Sequence, residues 1–167
     1  KRVNATDPRI LSTVAFITFA VVLWMRSLFN TQVDEFTLLI PAFAQGIPMA
    51  FLFVPLMSLI LMGLPPERIP AAAGLSNFVR ITAGAFGTSI FTTLWESRAT
   101  LHHAQLTETI NNASIPATQA LSDFATLGLS REQGLTYINH LIDQQAFMLS
   151  ANDIFYASAV LFLGLTA

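Results

Sequence analysis

A chain of 167 residues that is 53% hydrophobic and only 11% charged, with a mean hydropathy of +0.59, lacks the polar side chains a soluble domain needs for its exterior, where about 25% charged residues is usual. A net charge of −2 without any basic cluster excludes a nucleic-acid-binding module. No cysteine is present, so neither a disulfide framework nor a thiolate metal site can form.

The chain begins at Lys1 and ends inside an apolar run at Ala167, the pattern of a piece of something longer. Ile10 to Met25 gives 16 uncharged residues, about 24 Å of helix against a hydrocarbon core of about 30 Å. Arg26 can lengthen that helix by snorkelling to the interface, with Trp24 as aromatic anchor, so a span is expected over about 10–29. Phe36 to Leu64 gives 29 uncharged residues interrupted by Pro41, Gly46, Pro48 and Pro55. A span over about 36–64 is expected to bend or locally unwind there, which a membrane tolerates only beside neighbouring helices or a water-filled cavity.

The third block, Ala71 to Trp95, carries one charge, Arg80, and predicts a span over about 70–95. The fourth, Ile154 to Ala167, has 14 residues and predicts a truncated span over 151–167. Between them the sequence turns polar: Glu96 to Asp153 holds six of the ten acids. There Ser114-Ile-Pro-Ala opens a short helix that stops at Gly128. Ser130-Arg-Glu-Gln133 then matches a capping box ahead of an apolar stripe at Leu135, Ile138, Leu141 and Ile142. Residues 96–150 are thus expected to form a helical loop on or just above the membrane, not a separate domain. The fold class expected is an all-α membrane protein.

Lys and Arg set the orientation. Lys1, Arg2 and Arg9 in the tail and Arg68 in the second link oppose Arg26 in the first link. Long loops translocate largely regardless of charge, so the tail and the Gly63–Pro70 link are expected in the cytoplasm and the 96–150 loop outside.

Little in the chain carries chemistry. His102 and His103 are adjacent and would point about 100° apart on a helix, so they cannot chelate together; with His140 they read as solvated loop histidines. No phosphate-binding loop, nucleophile elbow or zinc-protease motif occurs, so no enzyme is expected.

Arg80 is the most informative residue. It falls near mid-bilayer, where a charge costs about 2.5–3.5 kcal/mol on insertion scales and must face protein or water. It either bonds backbone carbonyls and snorkels, or takes part in gating or substrate contact. Asn77, at i−3, shares its face. Ala83/Gly87 and Ala85/Ser89 are pairs of small residues that let helices approach closely, for static packing or for a rocking interface. In the second block Gln45 is the lone amide, flanked by Phe43, Phe51 and Phe53. These residues suit a cavity for greasy substrates; they equally suit lipid-facing rings with an amide bonded to a neighbour.

The stretch Gly63-Leu-Pro-Pro-Glu-Arg-Ile-Pro-Ala-Ala-Ala-Gly-Leu-Ser-Asn-Phe-Val-Arg80, followed by Ala83-Gly-Ala-Phe-Gly-Thr-Ser89, resembles the fourteen-span drug:proton antiporters of the major facilitator superfamily, and among them the EmrB type of Gram-negative bacteria. The resemblance extends over essentially the whole chain. It implies the eleventh to fourteenth spans, a four-span C-terminal part of the helix bundle in the bacterial inner membrane. Gln45, Phe43 and Phe51 would then face the substrate cavity, with Asn77 and Arg80 at the gate.

It also implies export of hydrophobic or amphiphilic compounds by alternating access, driven by the proton gradient with no cofactor. The partners it implies are membrane lipid, the N-terminal part of the same transporter, a periplasmic adaptor (membrane fusion protein) and an outer-membrane channel. The family's proton-coupling carboxylates lie in the N-terminal half, and here no acid sits inside an apolar block. The 96–150 loop would contact the adaptor or cap the transporter's outer face. The alternatives to an exporter are another solute transporter of the same fold and a membrane-anchored structural or assembly subunit.

Overall fold

The computed structural model describes residues 8–110 and 115–166; Lys1, Arg2 and the helix start at Ser114 lie outside the described residues. Every element among the described residues is helical: α1 (Pro8–Arg26), α2 (Glu35–Leu61), a 3-10 turn at Pro66–Arg68, α3 (Ile69–Thr109), α4 (Ile115–Thr126) and α5 (Arg131–Gly164).

Length is the first surprise. α3 has 41 residues and α5 has 34, about 61 and 51 Å at 1.5 Å per residue, well beyond a hydrocarbon core of about 30 Å. The changes from apolar to polar sequence near residues 95 and 150 fall inside these two continuous helices. Nothing in backbone hydrogen bonding registers where a bilayer would end, so a change of composition need not be a change of element. Residues 96–150 accordingly form the far ends of α3 and α5 with α4 beside them.

Two helices, α2 and α5, are long and apolar enough to cross a membrane, and α1 is a shorter apolar helix. The first half of α3 is built largely from Ala, Gly, Ser and Thr, residues that lower hydropathy while smoothing the helix surface.

α2 runs as one α-helix through its prolines, with no unwound turn, against the unwinding expected from the sequence. Pro41 and Pro48 are seven residues apart, hence on one face, and both side chains are fully buried. α1 is the neighbour against which α2 packs most. A proline removes one intrahelical hydrogen bond, and a packed membrane helix survives that loss where a neighbour covers the site.

The helices form an arc. α2 packs on α1, α1 on α5 and α5 on α3, while the sequence neighbours α2 and α3 lie at its two ends and touch sparsely. Phe16 and Phe19 of α1 meet Phe162 of α5 at ring-centroid distances of 6.0 and 5.1 Å. Arg26 lies over the Phe155 ring at 5.8 Å, so its cation rests on an aromatic face of α5. The link after α1 is tied to α5 by Asn152 Nδ2 donating to the Phe29 carbonyl (2.7 Å) and by a Thr31–Gln145 side-chain bond (3.3 Å).

The α3–α5 contact is the most extensive. Ala99, Ala146 and Ser150 are buried, small enough for close approach of the two backbones. Ser150 Oγ donates to the Trp95 carbonyl at 2.5 Å, and Trp95 Nε1 donates to the Phe147 carbonyl at 3.1 Å. Each helix thus supplies a donor to the other's backbone at the same level.

At the far end α4 lies on the first turns of α5. Gly134 is buried there, and a Cβ on it would come within 3.0 Å of Leu121; Phe124 and Tyr137 meet edge to face at 5.2 Å. α4 stops as expected before Gly128, whose φ of +83° is a left-handed conformation that glycine adopts without strain. The capping box is formed: Ser130 Oγ accepts from Gln133 N–H, and Gln133 Oε1 accepts from Ser130 N–H at 2.8 Å.

Candidate functional site

The five residues singled out from sequence sit on α2 and α3, the two ends of the arc. Arg80 is eleven residues past the start of α3, about 16 Å along its axis. Its Nη2 donates to Asn77 Oδ1 at 2.6 Å, and its guanidinium carbon lies 5.3 Å from the centroid of the Phe53 ring on α2. The i−3 amide therefore does share a face with the arginine and bonds it, and the polar pair rests against an aromatic wall. Among the described residues Arg80 forms no ion pair: the pairs present are Arg98–Asp153, His102–Asp153 and His103–Asp143.

The α2 candidates do not gather round this pair. Gln45 is half-buried, eight residues from Phe53, about 12 Å along the axis. Its side-chain amide makes no hydrogen bond among the described residues. Because α2 is continuous, Phe43 and Gln45 are two residues apart on a helix and point to nearly opposite sides. Phe43 is 78% exposed and Phe51 46% exposed within this chain. One straight helix face cannot present Phe43 and Gln45 to one cavity. The structure thus brings together Asn77, Arg80 and Phe53, and leaves Gln45 turned away from Phe43 on α2, with Phe43 and Phe51 on a broad exposed face.

Phe53 is the residue that sequence reading undervalued. The signal was available in the hairpin: counting back from the link, Phe53 lies eight residues before the end of α2 and Arg80 eleven after the start of α3. Two antiparallel neighbours joined by a short link meet at matched depths.

A second polar cluster joins α3 to α5 beyond Trp95. His102 Nε2 is 2.8 Å from Asp153 Oδ2, and Arg98 lies 3.9 Å from the same oxygen. His103 Nε2 is 3.4 Å from Asp143 and 3.3 Å from Asn139 Oδ1, and Asn139 Nδ2 donates to Asp143 at 3.3 Å. The two histidines are half-buried parts of a helix–helix seam, not solvated loop residues, because α3 continues through them. Their 100° separation sends them to two different carboxylates of α5. No group of three metal-ligating residues exists among the described residues.

The chain is similar over nearly its whole length to membrane exporters. It is 43% identical over 158 residues to the multidrug export protein EmrB of Escherichia coli K12, covering 94% of this chain and 31% of that protein. It is 37% identical over 160 residues, 96% of this chain and 32% of the relative, to the fatty acid resistance protein FarB of Neisseria gonorrhoeae. A more distant relative, the uncharacterized MFS-type transporter YhcA of Bacillus subtilis, is 21% identical over 157 residues, 89% of this chain and 30% of the relative.

No family model and no solved structure matches. The described elements are all helical, two of them long and apolar enough to cross a membrane, and the chain is similar to parts of membrane exporters and, more distantly, of an MFS-type transporter. Its sequence is similar to the EmrB-type export proteins, and it spans about a third of their length. The relatives' names are those of export and resistance proteins, not enzymes.

Proposed function

We propose that the chain is the four-span C-terminal part of a proton-driven multidrug exporter of the bacterial inner membrane, working by alternating access. The observation that carries this reading is the unbroken similarity to a multidrug export protein, 43% identity over 158 residues. Similarity of that extent includes the polar ends of α3 and α5 as well as the apolar helices. The exposed apolar surface of α2 and of the first half of α3, which also carries Asn77 and Arg80, supports a face turned toward the rest of the transporter and its substrate path. No acid lies inside the four apolar blocks, which supports a reading in which proton coupling uses carboxylates in the portion of the transporter outside this chain.

The orientation follows the charge count, with the Gly63–Pro70 link cytoplasmic and the ends of α3 and α5 periplasmic. The bonds from Phe29 and Thr31 to α5 support it, since they put the first link on the same side as the polar helix ends. Those ends, with α4, are a natural seat for a periplasmic adaptor that hands substrate to an outer-membrane channel.

The test is resistance in an efflux-deficient bacterium expressing the full-length parent with its adaptor. The exporter reading expects raised tolerance of hydrophobic dyes and uncouplers, lost when the proton gradient is collapsed. A well-expressed parent conferring no tolerance would reject it in favour of another solute transporter or a structural subunit.

A further inference from the structure

Two hydroxyls on the first half of α3 bond the helix's own backbone: Thr88 donates to the Gly84 carbonyl and Thr93 to the Ser89 carbonyl, each at 2.9 Å. Arg80 does not. A guanidinium has five N–H donors and a full charge, and the described residues offer it one amide oxygen and one aromatic face. At about 16 Å from the start of α3 it is too deep for a lipid phosphate, since half of a 30 Å hydrocarbon core lies on either side of it. The surface around it is cut for a close neighbour. Asn77, Arg80, Gly84 and Gly87 follow the 3-4-3 spacing of one helix face. A Cβ built on Gly84 or Gly87 would meet nothing within 4 Å. Glycines at such spacing admit a second backbone at short range, and no described helix uses the space. The matched relatives are about three times as long as this chain, so most of the transporter lies outside it.

We infer that the Asn77–Arg80–Gly84–Gly87 face of α3 seats a membrane helix from the part of the transporter outside this chain, and that this helix carries a carboxylate opposite Arg80. The inference rests on the exporter reading for the existence of that part. The pair it describes is internal to the protein, fixed across the membrane midplane, and makes Arg80 a positioning residue between two helices and not a substrate ligand.

The experiment uses the purified full-length transporter in detergent. Arg80→Gln is combined in turn with Asp→Asn or Glu→Gln at each acidic position of the membrane helices outside this chain, and the melting midpoint is read. The expected result is that Arg80→Gln lowers the midpoint by about 5 °C or more and that one acidic neutralisation does the same. Their double variant should melt no lower than the worse single one, the non-additivity of a shared pair. Exchanging the two charges should recover most of the loss.

Gly84→Leu and Gly87→Leu should lower the midpoint as well, because a seated helix leaves no room for the side chain. Additive losses in every double variant, or an unchanged midpoint in Arg80→Gln and both leucine variants, would overturn the inference. So would an Arg80→Gln variant of unchanged midpoint that loses only its stabilisation by dodecanoate, which would assign the arginine to an anionic ligand. Failure of the exporter reading is seen separately, as wild-type protein that confers no resistance whatever its melting behaviour.

Discussion

The two halves of α3 live in different circumstances. From Trp95 to Leu106 the helix is bonded to α5 at nearly every turn, through Ser150, Phe147, Asp153, Asp143 and Asn139. From Ile69 to Leu94 its apolar side chains are bare: Leu75, Phe78, Val79, Ile81, Phe86 and Ile90 are all more than half exposed. A continuous helix needs no change in its own hydrogen bonding to pass from one state to the other. The polar half closes on groups within the chain, so its partners can be read directly. The apolar half has surface made for neighbours, and an exposed apolar area of that size marks an interface with protein or lipid. Arg80 belongs to that half.

Five substitutions in the full-length protein, followed by thermal unfolding in detergent, sharpen the contrast. Ser150→Leu should have the largest effect. Ser150 is completely buried between α5 and α3 and donates to the Trp95 carbonyl. Two additional heavy atoms force the backbones apart and the hydroxyl's bond to that carbonyl is lost, a cost of about 3 kcal/mol. An unchanged midpoint would mean that the closed half is not held by this contact.

Trp95→Phe retains a ring against Phe147, 5.2 Å away, but removes the Nε1 donor. A loss of about 1 kcal/mol is expected, the net worth of one such bond. Phe53→Leu acts at the open half. It keeps an apolar side chain of similar size but takes away the ring face under Arg80. The expected loss is about 0.5–1 kcal/mol, with drug resistance falling further than stability if the open half is where the transporter works. Equal falls in both would erase the functional distinction between the halves.

Much of this arrangement was legible in the sequence. Local signals survived intact: the Ser130–Gln133 capping box and the glycine stop at Gly128 depend on a few adjacent residues and formed as written. The Asn77–Arg80 bond was legible for the same reason, since i, i+3 geometry is fixed by the helix alone. Element limits around residues 95 and 150 were not legible, because composition reports solvent and helices are held by backbone bonds common to both solvents. Nor was the pairing of His102 with Asp153, since tertiary neighbours at long sequence separation leave no periodic trace. The prolines of α2 misled in an instructive way. Their seven-residue spacing, visible in the sequence, was evidence for one buried face as much as for a break.

The smallest expected effect asks whether the closed half is held by charge or by geometry. Arg98 reaches Asp153 at 3.9 Å, with the two side chains 55% and 42% exposed. At that distance and exposure water and salt screen most of the attraction, and a surface pair contributes a median of about 0–1 kcal/mol. Arg98→Ala should therefore cost less than about 0.5 kcal/mol, a shift of about 1–2 °C, and the difference should vanish in high salt. Asp153→Asn should cost more than Arg98→Ala, because it weakens the acceptor that lies 2.8 Å from the half-buried His102 ring. If instead Arg98→Ala were the more damaging, long-range charge would be the agent joining α3 to α5. The short, directional contacts of Trp95, Ser150 and His102 would then be consequences of the packing, not its cause.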